Sequence, residues 1–257
     1  MLYTFEIYPL LLALTTAGLA GVVGSFALMK RMSLAGDVMS HVALPGLAIA
    51  VLFRVHPLWG GAAALLLGSL LIWQIERRTT VMSDSAIGVV FAAALALGAL
   101  LLQTQEELID ALFGGFSTVT LSGLILGLLA IGLALIIMYR LRGHLLLGLF
   151  SPELAHSSGV RVDRVNLIYF LVFSLTILLG LQFLGAILVG ALIIVPAAVG
   201  RQLTHTLGNF LIVSALAGMI SVGLGFFLSA VYHLALGPTI VVVASVLFGL
   251  SLFKKKE

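Results

Sequence analysis

Asp37 and His41 stand four residues apart in residues 30–46, KRMSLAGDVMSHVALPG. On a helix that spacing puts both side chains on one face, about 6 Å apart along the axis. The chain holds only 10 acidic residues and 6 histidines in 257, so an acid–imidazole pair inside an apolar run needs a reason. A carboxylate oxygen beside an imidazole nitrogen suits zinc, manganese or ferrous iron. Two ligands are too few for a tight structural site. They suffice where an ion must be released again, with water or another helix completing the shell. The same spacing fits a plainer arrangement, in which Asp37 sits at a helix N-terminus, favoured there by the dipole, and hydrogen-bonds His41. Spacing alone leaves both open. Pro45 lies one turn beyond His41 and brings no backbone donor; it either frees a carbonyl beside the pair or merely kinks the helix.

A second constellation is SPELAHSSG, residues 151–159. Ser151 suits an N-cap, Pro152 the first helical position and Gly159 a left-handed stop. The pattern predicts a helix of about two turns, either a docking element for a partner or an ordinary interfacial helix. Other polar residues carry weaker signals. Asp84 follows Ser83 at the start of an apolar run and reads as a cap. His233 lies near the end of another run, as an interfacial histidine or an ion's first ligand. His56, His144, His156 and His205 read as solvated loop residues.

The elements that must position these groups follow from composition. The chain is 61% hydrophobic and 9% charged, against roughly 25% charge in soluble domains. It must use lipid as part of its solvent, and ionisable groups inside such segments usually face a cavity or a partner. A span needs about 20 mainly apolar residues. Nine stretches qualify: 8–29, 35–53, 57–75, 84–103, 119–139, 165–181, 183–200, 208–231 and 236–253. The sixth and seventh share one apolar run broken only by Gly180, Gln182 and Gly185. The reading is an all-α, polytopic membrane bundle of about nine helices, one domain over residues 1–257, with the first helix retained. With the N-terminus outside and the C-terminus inside, Lys30, Arg31, Arg77, Arg78, Arg140, Arg142, Arg161, Arg164, Arg201, Lys254, Lys255 and Lys256 fall inside and only Arg54 outside, as the positive-inside rule asks. Residues 103–118 are expected outside, with a short surface helix; residues 140–164 form the longest polar stretch inside. Gly18, Gly21, Gly24, Gly185, Gly190 and Ala191 are placed for close helix packing, and Pro196, like Pro45, lies within a span.

Several function classes drop out. Without cysteine there is no disulfide and no thiolate metal site. No basic stripe with interleaved aromatics suggests nucleic acid, despite the net charge of +3. G-x-x-x-x-G-K-[ST], H-E-x-x-H and G-x-S-x-G are all missing, so no P-loop and none of the common hydrolase motifs is present.

In order along the chain, KRMSLAGDVMSHVALPG, DSAIGVVFAAALALG (84–98), SPELAHSSGVRVDRVN (151–166), VGALIIVPAAVGR (189–201) and GPTIVVVASVLFGLSLFKKK (237–256) resemble the membrane permease subunit of the bacterial zinc/manganese/iron ABC importers. The stretch 232–236 departs, having no acid and proline before Gly-Pro-Thr. The resemblance implies a multi-pass protein of the bacterial plasma membrane. It implies two permease copies around one pathway, cytoplasmic ATPase subunits that hydrolyse ATP on separate chains, and an extracytoplasmic protein that delivers the metal. It implies no permanently bound cofactor, the divalent ion being cargo. Asp37 and His41 map onto the family's ion ligands, and Pro152, Glu153, Ala155 and Gly159 fall in the loop on which the ATPase docks. A stand-alone proton-coupled metal transporter and an intramembrane metal-dependent hydrolase remain as alternatives. The first would usually show inverted repeats, which are not evident. The second needs a third ligand and a general base.

Overall fold

Backbone amides that meet lipid must bond within their own segment, which selects helices for a chain this apolar. The computed structural model describes residues 7–32, 34–79, 83–101 and 119–253, and among them every regular element is helical. These are α1 (Ile7–Met29), α2 (Ala35–Leu52), α3 (Pro57–Arg78), α4 (Ser83–Leu101), α5 (Leu121–Phe150), α6 (Pro152–Ser157), α7 (Val162–Leu203), α8 (Leu207–Tyr232) and α9 (Leu236–Ser251). Among the described residues, six helical segments are long and apolar enough to cross a membrane, and Ala35–Ala50, Leu188–Leu203 and Leu236–Ser251 are further apolar helical stretches.

The core forms around α1, which packs on α5, α7 and α8. Leu12, Leu19, Val23 and Phe26 are buried along it. Small residues set the spacing: a side chain at Gly24 would overlap the carbonyl of Ile193 on α7. On the outside, Leu126, Leu129, Leu133 and Ile136 make an exposed row along α5. They recur every three or four residues, as one face of a helix does, and suit contact with acyl chains.

The helix α7 is assigned without a break over 42 residues, about 62 Å if straight. It is not straight. Asn166, near its start, bonds Lys30 at the end of α1, while Arg201, near its end, lines a pocket with the adjacent Arg31. A Cβ at Gly180 would lie 3.1 Å from the Val189 side chain, although nine residues of straight helix rise about 13.5 Å. The chain therefore reverses between Gly180 and Val189, and α7 is two antiparallel legs. The sixth and seventh expected spans, 165–181 and 183–200, both fall within α7.

One expectation needs correction. The fifth helix does not stop at residue 139 but runs to Phe150. Arg140, Arg142 and His144 end the apolar run without ending the helix, because nothing in RLRGHLLLGLF breaks a helix before Ser151-Pro152. His144 is thus helical, not a loop residue. The surface helix expected in residues 103–118 falls outside the described residues.

Helix ends sort by charge. The ends of α1 and α3 and the start of α7 meet through Lys30–Asn166 and Arg77–Asp163 contacts. Lys30, Arg31, Arg77, Arg161, Arg164 and Arg201 thus share one basic end, and Arg54, after α2, lies at the other. Arg31 and Arg54 close α1 and α2 in the left-handed region, with φ of 60° and 54°. Met32 N–H reaches Ala27 C=O at 2.9 Å and Val55 N–H reaches Ala50 C=O at 2.8 Å, the six-to-one bond of a Schellman stop. A cation at that position faces the negative end of the helix dipole.

Candidate functional site

The helix α2 is enclosed by α3, α4 and α7. Met39, Val42, Ala43 and Leu44 are buried. Asp37, in the first turn, is exposed, and His41 one turn later is half-buried. The pair therefore occupies an open strip over the first two turns of α2, whose neighbouring faces are packed. The backbone of α7 comes close beside it: a Cβ at Gly190 would lie 2.5 Å from both N and Cα of Asp37. Only glycine permits that approach.

His41 Nδ1 lies 2.9 Å from the backbone carbonyl oxygen of Asp37, and the Ser40 hydroxyl donates to the same oxygen at 2.7 Å. A carbonyl only accepts, so Nδ1 carries the proton and donates. The Nε2 lone pair is then the one available to an ion, and the bonded Nδ1–H fixes the ring as second-shell partners do at metal sites. Phe91 of α4 meets the ring edge-on, 5.7 Å between centroids. Both features of the plainer arrangement are present: Asp37 sits in the first turn of α2 and is hydrogen-bonded to His41, through its backbone carbonyl. Pro45 is buried within α2 and has no N–H to offer the carbonyl of His41. Among the described residues no three acids or histidines cluster to hold an ion.

The loop helix forms as the pattern predicts. Pro152 opens α6, and Gly159 stops it at φ 74°. Val160 N–H bonds Ala155 C=O at 2.9 Å and Gly159 N–H bonds His156 C=O at 3.1 Å, a complete Schellman stop. Ser151 makes no side-chain cap bond; its N–H instead closes α5 on Leu147 C=O at 2.9 Å. Glu153, Leu154 and Gly159 are exposed, whereas Ala155 is fully buried and seats α6 against α5. His156 is exposed on α6. Asp84 lies inside the first turn of α4 rather than capping it, and is exposed. His56 does cap, accepting Leu58 N–H through Nδ1 at 3.4 Å. His205 is exposed in the turn before α8, and His233 ends α8 with φ 53°.

Sequence reasoning missed a polar knot at the basic end. Lys30 Nζ donates to Asn166 Oδ1 at 2.9 Å and sits 5.0 Å above the Tyr169 ring and 5.2 Å above Phe170. Burial pushes its ammonium below the ordinary 10.5, and the Glu76 carboxylate opposes that shift. Glu76 Oε1 is itself buried without a hydrogen-bond partner. Beside it the Trp73 indole donates to the Asp163 carbonyl at 2.8 Å, and Tyr169 donates to the Val23 carbonyl at 3.2 Å. The Arg77–Asp163 pair at 3.7 Å is more than half exposed and contributes little. Lys30 reads in sequence only as one of two adjacent cations; its partner is 136 residues away.

Known proteins match this chain over nearly its whole length. A family model described as ABC 3 transport family matches residues 3–255. The manganese transport system membrane protein MntC of Halalkalibacterium halodurans is 35% identical over 98% of this chain and 87% of its own. The high-affinity zinc uptake system membrane protein ZnuB of Haemophilus influenzae is 31% identical over 98% of this chain and 99% of its own. Among solved structures, PsaBC from Streptococcus pneumoniae in complex with Fab superposes with a TM-score of 0.83 at 28% identity, covering 98% of this chain and 92% of the other. An inward-facing putative metal-chelate type ABC transporter gives 0.76 at 19% identity over 98% of this chain and 86% of its own, a likeness of fold alone.

Proposed function

The chain belongs to the ABC 3 transport family, and on that premise we propose that it is the permease of an ATP-driven importer of a divalent transition metal ion. It is a multi-pass protein of the bacterial plasma membrane and not itself an enzyme, with ATP hydrolysed on a separate subunit. Relatives are named for manganese and for zinc; the donor pair suits both, and ferrous iron as well. The observation that carries the reading is His41, whose ring is anchored through Nδ1 so that Nε2 is free on the same open strip as the Asp37 carboxylate.

In this reading two copies pair around one path and pool their half-sites, since one chain supplies too few donors. The basic end is cytoplasmic, the N-terminus is outside, and the chain crosses nine times. Three features support that count: six long segments, three shorter apolar ones and the reversal in α7. The ATPase docks at α6 through its exposed side, Glu153 and Gly159, with Pro152 starting the helix and Ala155 holding it in place. An extracytoplasmic binding protein hands the ion to the opposite end. ATP binding and hydrolysis move α6, the two permeases rock, and the ion passes Asp37 and His41 by alternating access.

The test is ATP-dependent uptake of zinc and manganese into proteoliposomes holding the permease with its ATPase. Asp37→Ala and His41→Ala should each abolish uptake while the complex still co-purifies. Wild-type uptake by both variants would sink the assignment. Uptake without ATP would favour a transporter acting alone.

A further inference from the structure

A pocket of about 480 Å³ opens at the basic end between the ends of α1, α5 and α7. Its walls are Leu28, Met29, Leu149 and Phe150, from the last turns of α1 and α5, and its polar groups are Arg31 and Arg201. Among the described residues neither guanidinium has a hydrogen-bond or ion-pair partner. Both lie where spans leave the lipid, and Phe150 is 72% exposed. Volumes of about 300–1,000 Å³ are usual for small-molecule sites.

We propose that this pocket holds the headgroup of an anionic phospholipid, its phosphate between Arg31 and Arg201 and its glycerol and first acyl carbons along Leu28, Met29, Leu149 and Phe150. Two unpaired forks of N–H donors match phosphate oxygens. The adjoining apolar wall selects the source: free phosphate leaves it wet, and an acidic protein side chain carries no alkyl chain to cover it. Basic pockets between helices at the membrane boundary bind anionic headgroups in this manner. The lipid would bridge α1, α5 and α7 next to α6, which follows Phe150 directly.

Native mass spectrometry of the full chain in non-ionic detergent, titrated with phosphatidylglycerol and phosphatidylcholine, tests this. Wild type should prefer phosphatidylglycerol by roughly thirtyfold, about fivefold per arginine. The double variant Arg31→Gln/Arg201→Gln should lose the preference, Arg201→Lys should keep most of it, and Arg54→Gln at the other end should keep all of it. An unchanged preference in the double variant overturns the proposal. So does full displacement by millimolar inorganic phosphate, or loss of the ATPase subunit with lipid binding intact, which would assign the pocket to a protein acid. Phe150→Trp in a Trp59→Phe/Trp73→Phe background gives a readout with both arginines in place. Brominated phosphatidylglycerol should quench its fluorescence and brominated phosphatidylcholine should not; equal quenching overturns the site.

Discussion

A histidine ring has two nitrogens, and at His41 the backbone has already taken one. The sequence places an acid and an imidazole on one helical face, but not which nitrogen remains. That choice comes from the 2.9 Å approach of Nδ1 to the Asp37 carbonyl, a rotamer detail that no spacing encodes. Lys30 is the same lesson at longer range. Its surroundings come from Asn166, Tyr169 and Phe170, far along the chain, so sequence shows the charge and hides the burial. Its lowered pKa has a consequence for stability. Between that lowered value and 10.5 the unfolded chain binds a proton that the folded chain has released, so stability rises with pH across that window. The melting temperature of wild type relative to Lys30→Met should therefore climb as pH approaches 10.5 from below. A difference that stays flat would show that Lys30 titrates normally in the fold.

Among the elements, α2 and the second leg of α7 depend on each other most visibly. A methyl group at Gly190 would meet backbone atoms of Asp37, which cannot rotate away as a side chain end can. Gly190→Ala should cost about 1–3 kcal/mol of stability, the usual range for overpacking. It should also lower metal uptake by displacing the first turn of α2. Gly132 on α5 has nothing within 4 Å of its would-be Cβ, so Gly132→Ala should be neutral or gain up to about 1 kcal/mol. Thermal unfolding of the two variants side by side checks this, and equal melting temperatures would remove Gly190 from the argument. Element boundaries were legible where apolar runs ended in Pro, Gly or a short polar turn, as at His56-Pro57 and Ser151-Pro152. They were not legible at Arg140, where the helix outlasts its apolar stretch.

At the scale of the whole molecule the sorted charges were the clearest signal, because cations are excluded from the hydrocarbon whatever the packing. The reversal inside α7 was readable only as a thinning of the apolar run near Gln182; the structure places it through the approach of Gly180 and Val189. Reporter domains fused after Arg161 and after Leu203 should therefore report the same side of the membrane, and a fusion after Gln182 the opposite side. Opposite reports from the first two would make α7 a single crossing.

The reversal inside α7 also bears on synthesis. The turn between the two legs, residues 181–188, holds no Asp, Glu, Lys or Arg, whereas Arg161 and Arg201 flank the outer ends of the pair. A turn without charge carries nothing that resists crossing the bilayer, and the two flanking cations hold both ends on one side. The two legs can therefore be inserted together as one hairpin, with Gly190 brought up beside Asp37 as the pair enters.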